Sequence, residues 1–270
     1  MRTYIEDPDE PKNIIVPLFR EGEETTEHWA TGMLVTYGNR QFLCTAAHAL
    51  RGDQHSLFVG GKEPFGLGVF RRNTPKKGYT YDDDPLDIAI VELDRGQCSK
   101  ALSGARFINL DRDTPWQPFG KRIFMEAYGF LNHDNGLESD RTLTANGIKI
   151  PMVVDENHLN HDKRLRPYKN GYVSAFFDPA KLGGVKEDFR GNRVFTGMSG
   201  GALYYGDWSC TGLYLELAGM LVEARPAKRG CVRFLALRTR TLIRVLTQFY
   251  PDLSPILPPY KGMERRSTLR

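Results

Sequence analysis

With 270 residues, of which 40% are apolar and 26% charged, the chain can bury a sizeable core and is not a disordered polypeptide. A formal net charge of +4 does not by itself define a nucleic-acid-binding protein, and no apolar run reaches the length of a membrane span. Cys44, Cys98, Cys210 and Cys231 include no CxxC pair, which argues against a structural zinc site and a dense disulfide framework.

The first ten residues, MRTYIEDPDE, are acidic and polar, without the charged start and apolar centre of a secretory signal. Together with the sparse cysteines this predicts a reducing, cytoplasmic location. Residues 1–13 read as an N-terminal extension. Over residues 14–108 the short runs NIIVPLF, ATGMLVTY, QFLCTAA, HSLFVGG, FGLGVF and DIAIVEL, separated by turn residues, predict one compact β lobe. Within it MLVTYGNRQFLCT predicts a hairpin that turns at Gly38 and Asn39.

Residues 109–121, NLDRDTPWQPFGK, are rich in Pro, Asp and Gly and read as a linker. A second series over 122–250 (RIFMEAYGF, TLTANGIKIPMVV, GYVSAFFD, ALYYGDWS, GLYLELAGMLVEA and CVRFLAL) predicts a second β lobe. Inside it ENHLNHDKRLRPYKNG is polar and basic, and a surface loop is expected. In TRTLIRVLTQFYP the period changes: Leu242, Ile243, Val245, Leu246, Phe249 and Tyr250 share a helical face. Thr239 or Thr241 is the expected cap and Pro251 the stop. Residues 251–270 form a Pro-rich, basic tail. Charge is uneven: Arg225 to Arg270 holds eleven bases and two acids, whereas Met1 to Ala30 holds eight acids and three bases. A solvated tail is expected, and a nucleic-acid partner is not.

Three segments carry candidate chemistry. FLCTAAHALRG ends an apolar run in small residues that present His48, either a packed core histidine or a catalytic base. DDDPLDIAIVELD sets Asp87 just before a strand, a position where aspartate also serves turns. FTGMSGGALYY surrounds Ser199 with Gly197, Gly200 and Gly201. An acyl-transfer serine needs an exposed hydroxyl and inward-facing amides; Gly197 would supply the unusual backbone, and Gly200 and Gly201 room for a substrate backbone. A tight glycine turn is the alternative. The three residue types together are more specific, because a nucleophilic serine requires a base and the base an orienting acid.

In their order His, Asp, Ser, and in TAAH (Thr45 to His48), DIAI (Asp87 to Ile90) and GMSGG (Gly197 to Gly201), the sequence resembles the chymotrypsin-like (trypsin-like) serine peptidase family, of an intracellular, non-zymogen type. The resemblance spans roughly residues 14 to 250. It implies an all-β fold of two antiparallel six-stranded β-barrels with a C-terminal α-helix, the site lying in the crevice between them. It implies a serine endopeptidase in which Ser199 attacks, His48 is the general base and acid, Asp87 orients the imidazole, and the amides of Gly197 and Ser199 form the oxyanion hole.

Met198 stands where zymogen-activated members carry aspartate, and no IVGG-like start is present, so the enzyme is either constitutively competent or ordered by a protein partner. Ala49 stands where secreted animal members place a disulfide cysteine. Substrate contacts are expected at Arg193, Thr196, Met198, Glu223 and Arg225, with Glu223 and Arg225 alternatively pairing with each other. A trypsin-like preference is disfavoured because Arg193 occupies the position that would carry an acid; Arg193 either lines the pocket and favours acidic side chains or is a surface charge. The resemblance implies no cofactor or metal, a protein or peptide as substrate, and no membrane partner. Alternatives are a silent or partner-activated binding module, and an esterase or acyl transferase on the same scaffold. Whether Cys210 and Cys231 meet across neighbouring strands is left open.

Overall fold

The computed structural model describes residues 10–21, 26–50, 57–59, 65–72, 86–94, 102, 104–112, 124–132, 136–137, 143–144, 147–155, 159, 165–178, 195–209, 212–227 and 231–253. The chain enters through a 3-10 turn, Glu10–Ile14. The first lobe follows with β1 (Ile15–Glu21), β2 (Thr26–Tyr37), β3 (Arg40–Thr45), β4 (Leu57–Val59), β5 (Phe65–Gly66), β6 (Arg71–Arg72), β7 (Ala89–Glu92) and β8 (Ile108–Asn109). The predicted hairpin joins β2 to β3: Tyr37 pairs Arg40, and both turn residues have positive φ, 57° at Gly38 and 62° at Asn39. That pair of left-handed residues matches the right-handed twist of the flanking strands, which is why Gly-Asn serves here.

The strands run in the order β5-β4-β1-β2-β3-β7-β6, with β8 alongside β2 in parallel. Among the described residues this is an open eight-stranded sheet, where the sequence led us to expect a closed six-stranded barrel. Its two ends, β5 and β6, are two residues each and offer few ladder bonds with which to close. The expected linker also begins later than its composition suggests. Asn109 is still in β8, Leu110–Arg112 form a 3-10 turn, and the Asp111 carboxylate accepts the Gly38 N–H at 3.0 and 3.1 Å. The remainder of that segment lies outside the described residues.

The second lobe is a closed antiparallel barrel. β9 (Phe124–Phe130), β12 (Gly147–Val154), β13 (Tyr172–Phe177), β14 (Ala202–Ser209), β15 (Gly212–Pro226) and β16 (Val232–Arg238) close in the order β12-β13-β16-β15-β14-β9. A separate two-stranded ribbon pairs β10 (Gly136–Leu137) with β11 (Leu143–Thr144). Alternation divides the barrel residues. Met125, Ala127, Val173, Ala175, Leu203, Phe234 and Ala236 fill its interior, while Tyr128, Tyr204, Met220, Val222, Leu235 and Leu237 join Met33, Val35, Phe42 and Ile90 of the first lobe in a shared apolar core. The basic insertion is more anchored than a plain surface loop: Leu159 and Leu165 are buried, and Arg166–Gly171 form a 3-10 turn leading into β13.

Helix α1 (Thr239–Phe249) continues directly from β16. Its predicted apolar face is buried, but neither threonine caps it. Arg238 occupies the cap position without a side-chain bond, and the Thr239 hydroxyl donates to the Leu217 carbonyl at 2.9 Å. Both threonines are buried, so tertiary contact has displaced local capping. Beyond the helix the chain crosses to the first lobe. Arg40 and Arg71 lie over the Tyr250 ring at 4.8 and 4.2 Å, Arg40 pairs with Glu92 and Asp252, and Arg71 donates to the Phe249 carbonyl. The end of the C-terminal helix and the residues after it therefore pack against the first lobe. Among the described residues no helix is long and apolar enough to cross a membrane.

Candidate active site

Strand pairing brings His48 and Asp87 together. β3 and β7 are antiparallel, with Thr45 at the end of β3 opposite Ala89 at the start of β7. His48 follows β3 by three residues and Asp87 precedes β7 by two, so both emerge at one end of the sheet. A 3-10 turn, Ala47–Leu50, buries Ala47, Ala49 and Leu50 and turns the half-buried His48 outward. The nearly buried Asp87 carboxylate grips this histidine twice: Oδ1 accepts the His48 backbone N–H at 2.8 Å, and Oδ2 lies 2.5 Å from Nδ1. An ionised carboxylate only accepts, so against it Nδ1 is the donor of this bond.

The Ser199 loop belongs to the second lobe but is held by both. Phe195 and Met198 reach into the barrel interior, Phe195 packing edge-on against Phe177 and Phe234 at 5.4 and 5.0 Å. Each such burial is worth about 1.5–3 kcal/mol. At the position where the family resemblance leads one to look for an ion-paired aspartate, an apolar anchor thus seats the loop. Ser199 itself is half-buried, and its backbone ties it to the first lobe: its carbonyl accepts the Thr31 N–H at 3.0 Å. Thr31 lies in β2, and its own carbonyl accepts the Thr45 hydroxyl at 2.8 Å. The serine is therefore docked at the end of the sheet that carries His48 and Asp87.

Every peptide plane from Thr196 to Gly200 is fixed. The Thr196 carbonyl accepts Asn132 N–H at 3.0 Å, that of Gly197 the Thr31 hydroxyl at 2.7 Å, and that of Met198 Gly201 N–H at 2.9 Å. The Ser199 carbonyl is held by Thr31, while Gly200 N–H donates to Leu221 at 2.7 Å. In a trans peptide N–H and C=O point opposite ways. Gly197 N–H is thus turned away from Asn132, and Ser199 N–H away from Gly201.

The glycines answer to atoms of the protein itself. Gly197 has φ of 95°, and a Cβ there would sit 2.1 Å from Asn132 Oδ1. Gly200 has φ of 93°, and a Cβ would sit 1.9 Å from the Thr31 carbonyl, while one on Gly201 would meet the Tyr128 carbonyl at 2.3 Å. Room for a substrate backbone, the reason the sequence suggested for Gly200 and Gly201, is not what the geometry demands. At Gly200 the other lobe approaches so closely that only glycine fits, and at Gly197 and Gly201 the crowding comes mainly from β9 and the residues after it in the same lobe.

Of the expected substrate contacts, Arg193 lies outside the described residues, Thr196 is exposed on the loop, and Met198 is buried in the barrel cluster. Glu223 and Arg225 pair with each other on β15, just past a bulge at Val222. Cys210 lies outside the described residues, so its relation to Cys231 does too. Cys44 is fully buried, and burial pushes its thiol well above the ordinary value. Among the described residues no group of three or more His, Cys, Asp or Glu side chains is arranged to hold a metal.

Sequence reasoning missed His28, Thr31 and Asn132, all of which surround Gly197. His28 is 3% exposed between Phe19 and Phe130, and among the described residues neither ring nitrogen, nor Asn132 Oδ1, has a hydrogen-bond partner. Burial pulls His28 down from 6.5 to about 4. The ring is neutral at pH 7. Between pH 6.5 and about 4 the unfolded chain binds a proton that the folded one refuses, so stability falls as pH drops through that window. A shift of this size is worth at most about 3 kcal/mol. Urea unfolding at pH 7 and pH 4 is expected to show this loss in the wild type and a loss smaller by that amount in His28→Phe; equal losses would contradict it.

No protein-family model matches this chain, and no curated protein matches it either.

Proposed function

We propose that the chain is a serine endopeptidase of the chymotrypsin-like type, in which Ser199, His48 and Asp87 act together on protein or peptide substrates. The observation that carries this reading is the docking of the Ser199 backbone on Thr31, at the end of the sheet where Asp87 grips both the backbone and Nδ1 of His48. In the proposed reaction Ser199 Oγ adds to the scissile carbonyl carbon while His48 Nε2 takes its proton. The Gly197 and Ser199 amides bind the oxyanion. Collapse breaks the C–N bond and the imidazolium protonates the leaving amine; water, deprotonated by His48, then adds to the acyl carbon, and as the C–O bond to Ser199 breaks the imidazolium returns the proton to Oγ. A loop whose peptide planes are already held favours constitutive competence over ordering by a partner.

A cytoplasmic site of action, suggested by sparse cysteines, belongs to the same proposal. Cleavage profiling on an unbiased peptide library, with Ser199→Ala as the control, tests it. Cuts made by the wild type and not by the variant are expected. Turnover of activated esters with no peptide cut would favour an esterase, and no turnover of either by folded protein would favour a silent or partner-activated binding module.

A further inference from the structure

We propose that Thr31, a strand residue of the first lobe, is a positioning residue for the Ser199 loop, acting through its hydroxyl. The inference rests on the peptidase reading for its effect on rate but not for its geometry. Thr31 is fully buried, and its hydroxyl has one proton and two lone pairs to place. It donates to the Gly197 carbonyl at 2.7 Å and accepts the Phe130 N–H at 3.1 Å. One side chain thus joins β2, the end of β9 and the loop, while its backbone N–H holds the Ser199 carbonyl two residues further on.

The hydroxyl matters because the Gly197–Met198 peptide has little else to fix it. Its N–H makes only a long 3.4 Å bond to the Phe195 carbonyl, and glycine at 197 leaves that peptide free to rotate about ψ at low cost. Rotation would displace Met198 and carry the Ser199 amide off its line. The bond to Phe130 N–H adds a second effect, since Phe130 leads within two residues to Asn132, whose N–H holds the Thr196 carbonyl. Loss of the hydroxyl therefore loosens both peptides that precede the oxyanion amides, while leaving Ser199, His48 and Asp87 chemically intact.

Valine has nearly the shape of threonine and can neither donate nor accept; serine restores the hydroxyl. Thr31→Val and Thr31→Ser should be compared with the wild type in two measurements on the full chain. The first is hydrogen exchange of the peptide covering residues 195–205, followed by mass spectrometry. The second is the rate of fluorophosphonate labelling of Ser199, with kcat and KM on a cleaved peptide.

In Thr31→Val, loop exchange is expected to accelerate by about tenfold relative to exchange elsewhere in the barrel. Labelling and kcat are expected to fall by about 10- to 100-fold with KM little changed. Thr31→Ser is expected to match the wild type in both. If Thr31→Val does not fold, Thr31→Ala carries the same comparison. Loop exchange in the valine variant equal to the wild type overturns the proposal, and so do serine and valine variants equally impaired. A wild type that is never labelled, with the exchange pattern as expected, overturns the peptidase reading and leaves the positioning role standing.

Discussion

Ser199→Ala is expected to lower kcat/KM for amide cleavage by about 10⁴- to 10⁶-fold, leaving a residue of activity that comes from binding and the oxyanion amides alone. The fold should survive the change. The loop is seated by Phe195 and Met198 in the barrel and by backbone bonds at Thr31, Asn132, Gly201 and Leu221, none of which uses the Ser199 hydroxyl. The denaturant midpoint is accordingly expected to shift by less than about 0.5 kcal/mol equivalent, the usual range for a side chain outside such contacts. Steady-state cleavage of a peptide found by library profiling, measured beside a urea titration, checks both parts. A loss of only a few-fold in a folded variant would remove Ser199 from the proposed role.

Asp87→Asn is expected to cost about 10⁴-fold in kcat, through the tautomer of His48. The wild-type carboxylate accepts from the His48 backbone N–H and from Nδ1–H at once. Asparagine offers one acceptor and one NH₂ donor in the same outline. If its oxygen keeps the backbone bond at 2.8 Å, its NH₂ faces Nδ1, which must then be the unprotonated nitrogen. The proton moves to Nε2, where it blocks acceptance of the serine proton. Because the outline is unchanged, KM should stay within a few-fold of the wild type. Proton-detected NMR of the imidazole, showing Nδ1–H in the wild type and Nε2–H in the variant, checks the cause alongside the rate. A variant with full activity would show that Asp87 does not orient the base.

How much of this was readable without coordinates depends on how local each cause is. The turn at Gly38 and Asn39 was readable because positive φ at two successive positions is a local demand that few residues meet. The helix over Thr239–Phe249 was readable from its apolar face, whereas its cap was not, since Thr239 answers to the Leu217 carbonyl on β15. His48, Asp87 and Ser199 stood out as residue types in order. What joins them did not: Thr31 looks like any strand threonine, and its hydroxyl meets Gly197 across 166 residues of chain. Gly200 and Gly201 were noticed for a reason the structure replaces, because Gly200 meets the Thr31 carbonyl of the other lobe and Gly201 the Tyr128 carbonyl of the neighbouring barrel strand, contacts between residues far apart in the chain. The first lobe was expected to close as the second does, but strand runs in a sequence do not say which edges pair.

Activation of the Ser199 hydroxyl by His48 is tested most directly by reacting the folded protein with a fluorophosphonate and locating the adduct by peptide mass spectrometry, in the wild type and in His48→Ala. A stoichiometric phosphonyl adduct on Ser199 in the wild type, slowed by orders of magnitude in His48→Ala, is the predicted result. Folded wild type that carries no adduct on Ser199, or a His48→Ala protein that acquires it at the wild-type rate, would contradict it.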